Sequence, residues 1–203
     1  MFGGENDNKS VEKQLSFEKE IVLYLHDLVH LLAVVLIVFV LLFRIVIVDG
    51  SSMYSTLRDG DWLLVAGRVF YKEPQPGDII VASKESFNFG EPIIKRVIAT
   101  EGQKVDIDFE AGIVYVDGVA LDEPYTYTAT NIEEGIVFPI EIAEGCIFVM
   151  GDNRNNSRDS RDPSIGMLDK REVLGKAIFL IMPGTGEKSN SGPRELGRIG
   201  VVN

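Results

Sequence analysis

The chain has 203 residues, a formal net charge of −11 and an apolar fraction of 45%. Such a length accommodates one soluble domain and a short additional element. The acidity excludes nucleic acid as a partner, because phosphate binding needs clustered Lys and Arg, and a single cysteine excludes an internal disulfide or a cysteine-based metal centre.

In chain order, residues 1–9 are rich in Gly, Asn, Asp and Glu and are expected to be disordered. Between Ser10 and Asp27, Val11, Leu15, Phe17, Ile21 and Val22 recur at helical spacing among charges, which predicts an amphipathic helix within an N-terminal segment 1–27. Residues 28–48 read as a membrane anchor. Leu31 to Val48 holds one charge, Arg44, in 18 residues, close to the length that crosses a bilayer, and Arg44 is near enough to the end to snorkel. A cleaved signal peptide would start earlier, be shorter and end in a small-x-small site, for which Asp49-Gly50-Ser51-Ser52 is a poor match. His26 and His30 stand four apart at the edge of this segment, but no third ligand is near, so no metal or other cofactor is expected.

Beyond the anchor, short apolar runs alternate with turn signals. Asp61–Ala66, Ile79–Ala82, Ile93–Ile98, Gly112–Val116, Val119–Leu121, Cys146–Met150 and Ala177–Met182 read as strands, with Asp117-Gly118 as a hairpin turn. Cys146 reads as a small core residue. A single helical turn is expected near Lys170 to Val173. The pattern predicts a mainly β, barrel-like domain over residues 49–183. Within it, 119–145 is a looser excursion, and 184–203 reads as a flexible tail rather than a second span.

The stretch Asp49-Gly-Ser-Ser-Met-Tyr-Ser-Thr-Leu57 follows the anchor directly, and its serines are either turn residues or a nucleophile held at a lipid surface. No histidine occurs after His30, so a serine nucleophile here would need another base, and lysine is the usual alternative. Such a lysine must lose its charge near neutral pH, which calls for an apolar strand around it. Lys95 in Pro92-Ile-Ile-Lys-Arg-Val-Ile-Ala99 fits best, with Lys176 second; taken alone, Lys95 also reads as an exposed strand residue with an apolar stem. Met150-Gly-Asp-Asn-Arg-Asn-Asn-Ser-Arg-Asp-Ser-Arg161 is dense in hydrogen-bonding groups that could position a cation. Read alone it is an Asx-rich surface loop, and a calcium loop fails for want of the sixth-position glycine and twelfth-position glutamate.

Together, Gly50-Ser51-Ser52-Met53 with Thr56-Leu57, then Lys95-Arg96-Val97-Ile98, then Gly151 to Arg161, in this order beyond a membrane span, resemble the bacterial type I signal peptidases of Gram-positive-like kind over roughly residues 30–182. The resemblance implies a signal-peptidase-like β-barrel or coiled β-sheet behind a single N-terminal transmembrane helix. It also implies a membrane serine endopeptidase that removes signal peptides from secreted preproteins through an acyl-enzyme. By the same likeness, Ser52 is the nucleophile, Lys95 the general base and Ser157 the hydroxyl that orients the lysine. Asp159, Arg161, Asp152 and Arg96 form the supporting charge network. The N–H of Ser52 holds the oxyanion, joined by that of Gly50, since the serine common two positions before the nucleophile is absent. Ser55 stands where the family usually has proline, a departure that bears on turn stiffness more than on chemistry. Val48, Met53, Leu57, Ile93 and Ile94 are candidates to line the substrate pockets. The implied partners are signal peptides of exported preproteins, the lipid bilayer and the secretion machinery. The implied topology is single-pass in the cell membrane, with a cytoplasmic N-terminus and an extracytoplasmic catalytic domain. Self-cleaving repressors share a Ser/Lys pair but carry a DNA-binding helix-turn-helix where this chain has its span. The eukaryotic-type enzymes have histidine at the lysine position, and a tethered β domain that only binds exported chains would need no reactive serine.

Overall fold

The structure, a computed structural model, describes residues 4–186 and 193–202. The chain divides between Leu42 and Phe43 into two units. The first is one helix, α1 (Gly4–Leu42), whose 24-residue stretch Lys19–Leu42 reaches a mean hydropathy of 2.6 over an 18-residue window, enough in length and composition to cross a membrane. Two expectations change here. Residues 4–9, expected to be disordered, are helical and continuous with the segment that follows, while residues 1–3 lie outside the described residues. The apolar run expected to stay helical to Val48 leaves the helix at Leu42, and β1 (Phe43–Ile47) pairs antiparallel with β2 (Trp62–Gly67), from Phe43 opposite Ala66 to Ile47 opposite Trp62. The cause is the β-branched run Ile45-Val46-Ile47-Val48, which is stiff at χ1 and favours a pleated surface once a partner strand is available. Arg44 therefore stands on a strand opposite Val65 rather than on a helix end.

The second unit is mainly β. After β2 come β3 (Ile79–Ala82), β4 (Ile93–Thr100), β5 (Lys104–Asp108), β6 (Ile113–Val116), β7 (Val119–Ala120), β8 (Ile140–Glu141), β9 (Cys146–Met150), β10 (Leu168–Asp169), β11 (Val173–Met182) and β12 (Gly200–Val201). One sheet has the order β1-β2-β11-β3-β4-β9-β10, with β12 added along β11, and a smaller sheet has the order β7-β6-β5-β8. The described ladders are all antiparallel, and bulges interrupt β11 against β2 and β4 against β9, where Ile98 is the extra residue. Bulges of this kind bend and coil a sheet. The β6–β7 hairpin turns on Asp117 and Gly118, both at positive φ, as the sequence predicts.

Burial explains the topology. Val48, Met53, Leu57, Leu63, Val65, Ile79, Val81, Ala177 and Leu180 form one core cluster, which fixes the loop after β1 to the sheet. A second cluster, with Ile98, Phe148 and Met150 from the large sheet and Val105, Val114 and Ile142 from the region of the small one, joins the two sheets. Cys146 is only half buried against that cluster, because it opens β9 at the sheet's margin. The turn at Lys170–Glu172 forms as expected, closed by a capping box between Asp169 and Glu172. The C-terminal tail is not free where it is described: β12 pairs with β11 and Val202 is buried in the first cluster. Residues 187–192 and 203 lie outside the described residues.

Gly175 marks a close approach of β11 to β2, since a Cβ there would sit 2.2 Å from the Ala66 carbonyl oxygen. Gly175→Ala is expected to destabilise the fold by about 1–3 kcal/mol, measured by urea unfolding with the m-value unchanged.

Candidate active site

The loop from Val48 to Asp61 is drawn closed at its base, where the Val48 N–H donates to Asp61 O and the Gly60 N–H to Val48 O, both at 2.9 Å. Met53 and Leu57 anchor it in the core. Gly50 takes a φ of +94°, a left-handed conformation that favours glycine. The half-buried Ser52 hydroxyl is thereby held on a short apolar-footed turn beside β4.

β4 supplies the partner. Lys95 Nζ donates to Ser52 Oγ at 2.8 Å and to Ile94 O at 3.0 Å, and the residue is 5% exposed. Burial pushes the amine's pKa down to about 8; Asp159, Glu134 and Asp152 pull it back up and Arg161 assists the fall.

Arg96, next in the strand, grips the Asp152 carboxylate with Nε and Nη2 at 2.9 and 2.8 Å and donates Nη1 to Gly77 O, with its guanidinium 4.0 Å from the Tyr125 ring centre. Asp152 also accepts from the Thr56 hydroxyl at 2.5 Å. Asp159 is held twice by Arg161 at 2.9 Å and accepts from the Gly151 N–H at 2.9 Å. These buried charges are each paired and hydrogen-bonded, which is the condition for burying them. The polar loop also grasps the serine turn directly. The Asn153 N–H donates to Ser52 O at 2.9 Å, its side chain to Ser51 O at 3.1 Å, and Asn156 to Ser51 Oγ at 2.9 Å.

The excursion 119–145 completes the network. Glu123 and Thr130 accept from Arg154, and Glu134 lies 3.3 Å from Arg161. Burial and the nearby Asp159 charge raise the Glu134 carboxyl to about 7 against the opposing pull of Arg161. Thr56 and Asn153 stood within the quoted motifs without an assigned role. Glu134 had no sequence signal at all, since it is one acid among many in an irregular segment.

A groove of about 390 Å³ runs past Ser52 and Lys95 and is lined by Val46, Val48, Met53, Ile93 and Ile94, with Asp49 and Glu91 also on it. Three expected contacts fall elsewhere. Leu57 is fully buried in the core and faces a separate cavity with Thr56 and Arg198, because it serves as the loop's apolar foot. The Gly50 N–H is committed to the Asp59 carboxylate at 2.7 Å, whereas that of Ser52 donates to no group among the described residues. Ser157 Oγ is buried without a partner among the described residues, so the expected bond to the Lys95 amine is not made. Lys176 pairs with Asp78 and stands over Tyr71.

The model of the signal peptidase family, peptidase S26, matches residues 21–182, and the chain belongs to that family. Its relatives include a probable signal peptidase I-1 of Synechocystis, 37% identical over 67% of this chain and 69% of that one. They also include a signal peptidase I of Bacillus amyloliquefaciens, 34% identical over 70% and 75%, and signal peptidase I S of Bacillus subtilis, 29% identical over 84% and 94%. A crystal structure of a signal peptidase I from Enterococcus faecalis V583 covers 52% of this chain and 97% of that one at 30% identity, with a TM-score of 0.43. The chain is of the bacterial type I, a serine peptidase that hydrolyses peptide bonds.

The depressed pKa of Lys95 carries a stability cost. Below pH 8 the amine is charged in both folded and unfolded states, and the folded state bears the full penalty. As pH rises from 8 towards 10.5 only the unfolded state holds the proton, and the penalty fades. Lys95→Met is therefore expected to raise stability by roughly 3 kcal/mol at pH 7, with the gain vanishing above about pH 10.5, read from denaturant unfolding across that range.

Proposed function

We propose that this signal peptidase is a membrane-bound endopeptidase that works through a Ser52/Lys95 pair and an acyl-enzyme. The observation that carries the reading is the 2.8 Å contact between Ser52 Oγ and an amine buried enough to shed its proton close to neutral pH. In the reactive form the neutral Nζ accepts the Ser52 hydroxyl proton while Oγ attacks the scissile carbonyl. The charged amine then delivers that proton to the departing amine, and a water activated by the same base clears the ester. The unengaged Ser52 N–H is available to the developing oxyanion. The charged lysine needs an acceptor during the cycle, and the partnerless Ser157 hydroxyl is the group that would serve.

The substrate reading follows from the groove. β9 pairs with β4 only from Arg96 onward, so Ile93–Lys95 keeps an edge open on that side, suited to an extended peptide. The apolar lining from Val48, Met53, Ile93 and Ile94 favours small uncharged side chains beside the cut, as in signal peptides of exported preproteins. The apolar stretch Lys19–Leu42 supports a single-pass anchor, and likeness to the family favours an N-terminus in the cytoplasm and a second unit outside, beside the secretion machinery. Tethering enzyme and cut site to one surface raises their effective concentration.

Mass-spectrometric mapping on a panel of synthetic signal peptides should find one cut after small-x-small residues, lost by roughly 10³-fold or more in Ser52→Ala and Lys95→Ala. Retained cleavage in either variant contradicts the pair. The kcat/KM profile should fall as pH drops through about 8, where the base takes up its proton. Glu134→Gln removes a charge that raises the Lys95 pKa, so the acid limb should move to lower pH; an unmoved limb contradicts that coupling.

A further inference from the structure

Residues 193–202 lie beyond the family match, which ends at 182, and take no part in the chemistry above. They are nonetheless fastened to the serine loop. The fastening point is Asp61, fully buried where that loop closes. Its Oδ1 accepts from the Gly184 N–H at 2.7 Å and from Arg198 Nη1 at 3.0 Å. Its Oδ2 accepts from the Arg58 N–H at 2.8 Å and from Arg198 Nη2 at 2.7 Å. The same Nη2 donates to the Thr56 carbonyl at 3.1 Å.

Thr56 is therefore held at two ends. Its carbonyl is bound by Arg198 from the C-terminal segment, and its hydroxyl by Asp152, which is paired to Arg96 beside Lys95. Apolar and ionic contacts secure the segment around this point. β12 adds to β11, Val202 shares a core cluster with Met53 and Leu57, and Glu195 pairs with Arg58 at 2.7 Å. Arg198 is largely buried against a carboxylate that is wholly so, an arrangement favourable only when its geometry is well kept.

We infer that residues 193–202 form a clasp in which Arg198 is a positioning residue for the nucleophile, fixing the serine loop through Asp61 and the Thr56 carbonyl so that Ser52 Oγ stays within reach of Lys95 Nζ. The inference rests on the Ser52/Lys95 reading. Misplacing a reacting atom by an ångström costs up to about 10²-fold in rate, whereas the groove, lined by the end of β1, the first half of the serine loop at Val48, Asp49 and Met53, and β4, includes neither Arg198 nor Thr56, the residue it holds.

The test uses full-length Arg198→Leu and Arg198→Lys in detergent micelles, assayed on a synthetic signal peptide well below each variant's Tm. Arg198→Leu should lose roughly 10- to 100-fold in kcat with KM changed less than about 2-fold, added guanidinium should restore part of the loss, and Arg198→Lys should fall between. Wild-type kcat in folded Arg198→Leu, with only a lowered Tm, overturns the clasp. Should Arg198→Leu not fold, Arg198→Lys decides: a reduced kcat at wild-type KM supports the clasp, and an unchanged kcat overturns it. Ser52→Ala and Lys95→Ala run alongside. If both are inert while folded Arg198→Leu is fully active, the clasp alone is wrong; if either cleaves, the nucleophile and base assignment fails and the clasp falls with it.

Discussion

An amine enclosed in protein is easier to keep neutral than charged, and the second unit is arranged around that fact. Lys95 is removed from water, which drives its proton off, yet three carboxylates lie close enough to draw it back. The balance near pH 8 depends on how those carboxylates are engaged. Asp152 is occupied by Arg96 and Thr56, Asp159 by Arg161 and the Gly151 N–H, and Glu134 stands by Arg161 with one oxygen buried and unbonded among the described residues. Arg161, paired with Asp159 and beside Glu134, works against their pull on the lysine proton. The ion pairs thus act as much on proton affinity as on stability, where buried pairs contribute little net.

The same network shapes the turn that carries Ser52. Ser52 sits on a loop, but the loop has an apolar foot in Met53 and Leu57 and a polar brace in Asn153 and Asn156. Gly151 shows how closely brace and loop approach. A Cβ there would come within 2.2 Å of Ser157 Oγ and 2.5 Å of Ser52 O. Backbone contact this tight positions the serine without using its side chain, which leaves the hydroxyl to accept from Lys95.

Much of this was legible in the sequence, and the failures have physical reasons. Strands β3 and β9 match their apolar runs end to end, and Asp117-Gly118 turns as its composition requires, because these are local signals. The Ser52, Lys95 and Asp152–Arg161 stretches were found by motif, and the structure brings them together. What could not be read were properties set by distant partners. β1 sits in a run that is apolar enough for a membrane and became a strand because β2 was there to pair with it. Leu57 looked like pocket and is core, since apolar character does not state a direction. Gly50 looked like an oxyanion donor, but Asp59, nine residues on, takes its N–H. The C-terminal segment looked loose because Gly, Ser and Asn dominate its beginning, while its hold on the fold comes from Arg198 and Val202 further along.

The account turns on the protonation of one side chain, which can be observed directly. Nitrogen-15 NMR of Nζ-labelled lysine in the full-length enzyme in micelles, with Lys95→Arg to assign the signal, reports that titration without reference to turnover. A Lys95 midpoint near pH 8 is the predicted result. A midpoint near 10.5, the value of a lysine in water, would leave the amine charged under working conditions and contradict its proposed role as the base.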